Sequence, residues 1–169
     1  MTPRNYTRTL ALERTPQVVF DAICKVSAWW TVNTEGRTLT VGDEFAVQFS
    51  DPVSGQLVHR TAQRISEAVP GQRIVWQVTE SHLPWLKDKE EWRGTTIVFD
   101  IAATAKGSQL TFTHIGLTPQ VECFEQCEKG WEYFLDTSLS ALINSGTGHP
   151  DTSARNHMDT IGHVHSTNA

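Results

Sequence analysis

The sequence predicts an α+β domain: a curved antiparallel sheet of about seven strands wrapped around one long C-terminal helix, with two short helices after the first strand. Three observations carry this. Residues 123–150, CFEQCEKGWEYFLDTSLSALINSGTGHP, form one amphipathic run closed by glycine. Before it, about seven short segments alternate apolar and polar residues, the period of half-buried strands. Turn residues separate those segments at short intervals. A helix with one wide apolar face needs a concave partner, and an arched sheet provides one. Such a pairing usually leaves a cavity.

The elements follow in order. Tyr6 to Leu12 alternates and reads as a first strand. Thr15-Pro16 starts a helix, with Thr as the cap and Pro in the first turn. Val18, Val19, Ala22 and Ile23 form its apolar stripe, and Ser27 to Trp30 makes a second helical turn. Leu39 to Val41 is read as a short strand ended by Gly42-Asp43, followed by a strand carrying Phe45, Val47 and Phe49. Asp51-Pro52 and Ser54-Gly55 turn the chain into a long polar-rich strand from Leu57 to Glu67. Pro70-Gly71 leads into the strand Arg73 to Glu80. Residues 81–93, SHLPWLKDKEEWR, make a charged loop with two tryptophans. Thr95 to Ala103 and Gln109 to Ile115 are the last strands, joined at Lys106-Gly107-Ser108. Thr118-Pro119 repeats the cap chemistry of Thr15-Pro16, and the long helix runs from about Val121 to Ser145. Phe124, Cys127, Trp131, Phe134, Leu135, Ser138, Leu139 and Leu142 line one side of it. Gly130 interrupts that stripe and marks a bend or a close approach to the sheet; Gly146 closes the helix. Residues 1–150 are expected to form a single domain, and the polar segment 151–169 a flexible tail.

Bulk properties exclude several classes. A chain of 169 residues suits one domain with a real core. Its net charge of −5, with no local run of Lys or Arg, speaks against a nucleic-acid partner. No stretch approaches 18 apolar residues, so no membrane span is expected. The N-terminus lacks the apolar core of a signal peptide, so a cytoplasmic location is expected. Cys24, Cys123 and Cys127 are odd in number and do not form a disulfide framework. Cys123 and Cys127 share a helix face, yet no second pair of ligands joins them, so they read as free thiols. GxSxG, GxxxxGK[ST] and HExxH are all absent. No metal or cofactor is expected.

Three segments, TPQVVFDAICKVSAWW (15–30), GSQLTFTHIGL (107–117) and GWEYFLDTSLSALINSGTGHP (130–150), carry a family resemblance. The chain resembles the START-like (SRPBCC, Bet v 1-like) superfamily, most of all its branch of proteins like the activator of the heat-shock-protein-90 ATPase homologue. The resemblance covers nearly everything except the tail and implies a helix-grip fold. It also implies one of several functions, because such proteins bind lipids, hormones or polyketides, and a few catalyse reactions. Eukaryotic cochaperones of that name carry a separate chaperone-binding domain. This chain stops soon after the single domain, so a chaperone interaction is not expected. A homodimer is compatible with folds of this kind.

Strand parity identifies the candidate cavity wall. Phe45 and Phe49 face inward on one strand, and His59 shares a face with Leu57, Thr61 and Ile65 on the next. Trp76 and Val78 bring Glu80 onto their face; Phe99 and, further on, Phe112 with His114 complete the sheet's contribution. Trp29, Trp131 and Leu135 come from the helices. A bulge would invert every assignment beyond it. Trp85 and Trp92 sit in a polar loop that does not need them, which suits a lid or rings folded back on the sheet edge. A wall of rings and aliphatics with His59, Glu80 and His114 as polar points suits a small hydrophobic or amphipathic ligand. By burial alone, even a sterol or a polyketide is a candidate. Two alternatives stay open. One is a cyclase or dehydratase using His114, Glu80 or His59 as base. The other is a stress- or chaperone-associated interaction protein, resting on the family name.

Overall fold

The structure is a computed structural model, and it describes residues 4–152. Strand β1 (Tyr6–Leu12) leads into helices α1 (Pro16–Cys24) and α2 (Val26–Trp29). Six strands follow: β2 (Thr34–Gly36), β3 (Glu44–Ser50), β4 (Leu57–Val69), β5 (Arg73–His82), β6 (Thr96–Thr104) and β7 (Gly107–Ile115). The sheet order is β1-β7-β6-β5-β4-β3-β2, with every neighbouring pair antiparallel. Sequential hairpins build most of it, and β1 returns to the far edge beside β7. The C-terminal helix, α3, runs without a break through Phe124–Glu132, a π-helical stretch Tyr133–Leu139 and Ser140–Ser145.

Local chemistry explains most boundaries. The Thr15 side chain accepts from the Val18 N–H, and Pro16 occupies the first turn, as its spacing predicts. Gly146 takes the left-handed conformation (φ 89°) that ends α3. Two expected boundaries move. Leu39 to Val41 is not a strand but a turn, because the Asp43 carboxylate accepts from the N–H groups of Leu39 and Thr40. Leu39 and Val41 are exposed there, and the strand forms at 34–36 instead. Gly36 turns at φ 102°, where a Cβ would lie 2.2 Å from the Glu44 carbonyl oxygen.

Thr118-Pro119 likewise does not start α3. The Thr118 carbonyl closes a turn with the Val121 N–H, and the helix begins at Phe124. Its orphan donors are met from elsewhere: the Glu91 carboxylate accepts from the N–H groups of Glu122 and Cys123 at 2.8 and 3.0 Å. The fold also continues past residue 150. The Asp151 carbonyl accepts from the Val32 N–H, and the Asp151 N–H donates to the Trp30 carbonyl. Residues 147–152 thus form a strap over the end of α2. The remainder of the expected tail, 153–169, lies outside the described residues.

The register decides one site assignment. Pairing between β4 and β5 passes from Ala62–Glu80 to Gln63–Val78, so Thr79 is an extra residue. Beyond this bulge the faces invert. Ser81 turns inward and is buried, while Glu80 is exposed on the outer face beside Arg60, His82 and Arg93. The inward Glu80 expected from simple alternation is therefore corrected.

The space between sheet and helix is largely filled. Trp29 stacks on Trp76 (6.4 Å between ring centroids), and Trp76 packs against Phe45 at 5.0 Å and Phe99 at 4.8 Å. Phe99 meets Phe112 at 5.2 Å, and Phe112 meets Trp131 at 4.6 Å. These rings, with Val78 and Leu135, are the core of the molecule. Interlocked rings leave no room there for a sterol, so the large central cavity expected from the sequence is absent among the described residues.

Candidate functional site

What remains open is one end of the interface. A pocket of about 190 Å³ lies between the start of β4, the loop 83–95 and the first turns of α3. Phe49, Val58 and His59 form its sheet side, and Leu83, Trp85 and Trp92 come from the loop. Gln126, Cys127, Gly130, Trp131 and Phe134 form its helix side, with Trp30 closing the inner end. Six of these twelve residues are Phe or Trp, and with Val58 and Leu83 they make most of the surface offered to a guest apolar.

Gly130 explains why there is a hollow at this place. A Cβ built on it would meet nothing within 4 Å. The stripe Cys127, Trp131, Phe134 is continuous around it, and the missing side chain leaves a gap in that stripe. Close approach to the sheet, one of the two readings of Gly130 from the sequence, does not apply.

The loop is pinned rather than loose. Its Glu91 carboxylate caps α3, and the Lys87 N–H donates to the Glu122 carboxylate. Leu83 and Leu86 are buried. Trp92 is 4% exposed, stacks on Trp131 with centroids 5.8 Å apart, and donates from Nε1 to the Cys123 sulfur at 3.3 Å. Trp92 is therefore fixed wall. Trp85 differs. It is 45% exposed at the mouth, and its Nε1 donates to the Val58 carbonyl at 2.9 Å. Pairing of β4 with β5 stops at Arg60–His82, which leaves that carbonyl available to the indole.

Two histidines lie at the aromatic end, in different circumstances. His114 is fully buried, and its hydrogen bonds define its tautomer. The Thr95 hydroxyl donates to the Trp92 carbonyl at 2.6 Å, so Thr95 Oγ1 accepts from His114 Nε2–H at 2.9 Å. His114 Nδ1 then carries the lone pair, which accepts from Trp131 Nε1–H at 3.1 Å. Both ring nitrogens are satisfied, and burial, with His59 nearby, pushes the pKa down to about 3. His114 ties loop, strand and helix together and has no lone pair left for proton abstraction.

His59 stands on the pocket wall, half-buried and enclosed edgewise by Phe49 (4.8 Å), Trp92 (4.9 Å) and Trp30 (6.0 Å). Its Nε2 lies 3.0 Å from Thr61 Oγ1, and the buried Gln63 donates to the same hydroxyl at 2.5 Å. Desolvation pushes the His59 pKa down to about 3, so the ring is neutral near pH 7. On the helix side, the thiol of Cys123 is held protonated by its hydrogen bond with Cys127 and by burial. Among the described residues no three His, Cys, Asp or Glu side chains gather as a metal site.

The structure therefore divides the expected site residues. Phe49, His59, Trp85, Trp92 and Trp131 line the pocket. Trp29, Phe45, Trp76, Val78, Phe99, Phe112, His114 and Leu135 are buried behind it in the core, and Glu80 is outside. Parity did not pick out Trp30, Val58, Leu83, Gln126, Cys127, Gly130 or Phe134 as wall. The spacing 127, 130, 131, 134 was the available signal, because a glycine inside an aromatic stripe marks a gap.

A seven-stranded antiparallel sheet gripping a C-terminal helix defines the helix-grip, START-like class of protein. Within that class, the family model described as "Activator of Hsp90 ATPase homolog 1-like protein" matches residues 13–144, and the chain belongs to this family. No curated protein matches the chain in sequence. Among solved structures, it is similar to the Aha1 dimer from Colwellia psychrerythraea, with 21% identity and a TM-score of 0.65, over 86% of this chain and 99% of that one. A Chromobacterium violaceum protein is 22% identical with a TM-score of 0.64, over 83% of this chain and 98% of its own. DynU16, a protein in the dynemicin biosynthetic locus, is 15% identical with a TM-score of 0.58; 85% of this chain matches 48% of DynU16. These likenesses are of fold. No helix among the described residues is long and apolar enough to cross a membrane.

Proposed function

We propose that this protein binds a small apolar or amphipathic molecule in the pocket between β4, the loop 83–95 and α3. The observation that carries the reading is a preformed hollow of about 190 Å³ with a mostly apolar wall, half of whose residues are Phe or Trp. Its walls are held by bonds independent of any guest, as Glu91, Trp92 and Trp85 illustrate. Pre-organisation of this kind reduces the cost of binding.

The size sets the class of guest. An apolar cavity of about 150 Å³ holds a benzene ring, and typical ligand sites run from about 300 Å³ upward. A pocket of about 190 Å³ suits one ring or two fused rings. Burying about 200 Å² of such a guest contributes about 5 kcal/mol before the cost of association. That ceiling corresponds to a Kd of about 0.2 mM, so millimolar or weaker affinities are expected once association is counted.

A cyclase-like enzyme has less support. His114 has its lone pair occupied and Glu80 is on the outer face, so His59 alone of the three candidate bases stands on the pocket wall. The interaction-protein reading gains no residue-level support. The Colwellia protein is described as a dimer, and we extend homodimerisation to this chain as a proposal that analytical ultracentrifugation tests.

The test of the binding reading is a titration of one- and two-ring aromatics, followed by tryptophan fluorescence. Saturable quenching that disappears in Gly130→Leu supports it. Quenching unaffected by that substitution, or none at all, refutes it.

A further inference from the structure

The pocket wall carries one imidazole among rings, and its surroundings define which hydrogen-bonding partner it offers. His59 Nε2 is committed to Thr61 Oγ1 at 3.0 Å. Thr61 and Gln63 are both fully buried, on the inner face of β4 behind His59. Gln63 Nε2 donates to Thr61 Oγ1 at 2.5 Å, while Gln63 Oε1 has no partner.

Two proton arrangements of these three groups give the Thr61 hydroxyl proton a partner among them. In the first, Gln63 donates to Thr61, Thr61 donates to His59 Nε2, and His59 carries its proton on Nδ1. In the second, the amide is reversed, Thr61 donates to Gln63 Oε1, His59 Nε2–H donates to Thr61, and Nδ1 is bare. Leaving aside Nδ1, which has no protein partner in either case, the first leaves one amide N–H and one amide oxygen unmet. The second strands both amide N–H groups against an apolar interior. An acceptor oxygen has two lone pairs and an orphaned N–H is the rarer burial, so the first arrangement is favoured. Among the described residues nothing accepts from Nδ1.

We propose that His59 presents Nδ1–H to the pocket, and that the ligand is a planar aromatic of one or two fused rings bearing a hydrogen-bond acceptor such as a carbonyl oxygen. This rests on the pocket reading above and specifies its ligand class. Thr61 and Gln63 act as positioning residues, since they hold the imidazole in one tautomer without meeting the guest. The aromatic neighbours at 4.8 and 4.9 Å grip the imidazole edgewise and limit its rotation. A guest without an acceptor leaves the N–H desolvated and unpaired, which penalises it.

Coumarin and naphthalene make a matched pair, nearly equal in size and shape, only the first with a carbonyl oxygen. The expected result is that coumarin binds roughly fivefold to tenfold more tightly than naphthalene. That preference is expected to disappear in His59→Phe, where the ratio of the two affinities falls to about one. Long-range 1H–15N spectra of the free protein are expected to show the His59 proton on Nδ1, and Thr61→Val is expected to mix the tautomers and shrink the preference. Equal binding of the two probes, or a wild-type proton on Nε2, overturns the inference while leaving the pocket reading intact. Binding of neither probe overturns both.

Discussion

Acidification from pH 7.5 to 5 is expected to destabilise this protein well before its carboxylates protonate, because His114 cannot accept a second proton where it sits. The site for that proton is Nδ1, which already accepts from Trp131 Nε1–H at 3.1 Å. Protonation would set two N–H groups against each other in a fully buried position. Burial lowers the pKa from 6.5 to about 3. The unfolded chain titrates near 6.5, so between 6.5 and 3 it binds more protons than the native state, and stability must fall with falling pH. The contribution is complete above 6.5 and lost progressively down to about 3. A shift of that size is worth at most about 5 kcal/mol, of which about 2 kcal/mol is lost by pH 5. His59 moves in the same direction and adds a smaller amount, since its edge opens onto the pocket. Asp43 and Asp51, held below their ordinary 3.8 by backbone N–H groups, lose their contributions only at lower pH. Urea denaturation at pH 7.5, 6 and 5 measures the slope. His114→Gln, which removes the titrating ring, should be less stable at pH 7.5 but flatter with pH. A wild-type stability that is level or rises toward pH 5 would refute the assigned tautomer and its partners.

Three further substitutions test the architecture. Gly130→Leu adds a side chain into open space and replaces a poor helix former, so stability should hold or rise by up to about 1 kcal/mol while aromatic guests are excluded; denaturation and titration read the two effects separately. Glu91→Ala removes the carboxylate that caps α3 and should cost about 1–2 kcal/mol, seen as a lower urea midpoint. Gly148→Ala would place a Cβ 2.3 Å from the Ala28 carbonyl oxygen, lifting the strap that bonds Trp30 and Val32. It should cost about 1–3 kcal/mol and weaken guest binding through Trp30; an unchanged midpoint would show that the strap carries no strain.

The sheet was legible because its signals are local. Alternation, Gly- and Pro-containing turns, and the Thr15-Pro16 cap place most strands and the first helix close to where they lie. The failures share a cause in contacts distant along the chain. Asp43 captured two N–H groups and turned Leu39 to Val41 out of the sheet. Glu91, about thirty residues upstream, took over the capping role that Thr118 was expected to play. The extra residue at Thr79 sent Glu80 to solvent, and no feature of the local pattern announces it.

The wall of the site was harder to read than the fold. Parity separates inner from outer faces, but it does not separate inner residues that touch one another from inner residues that border a hollow. Trp76 and Phe99 have the same parity as Phe49 and His59, yet only the last two meet the pocket. That distinction depends on summed side-chain volumes in three dimensions. Gly130 was read from the sequence as a bend or a close approach to the sheet, whereas its missing side chain is what borders the gap.

The six tryptophans offer the most direct test of where a guest sits, because each indole N–H gives its own signal in a 1H–15N spectrum. On titration with coumarin, the signals of Trp30, Trp85, Trp92 and Trp131 should shift together, while those of Trp29 and Trp76 stay in place. Shifts concentrated on Trp29 and Trp76, or no shift at any of the six, would contradict a binding site at the Gly130 end of the helix.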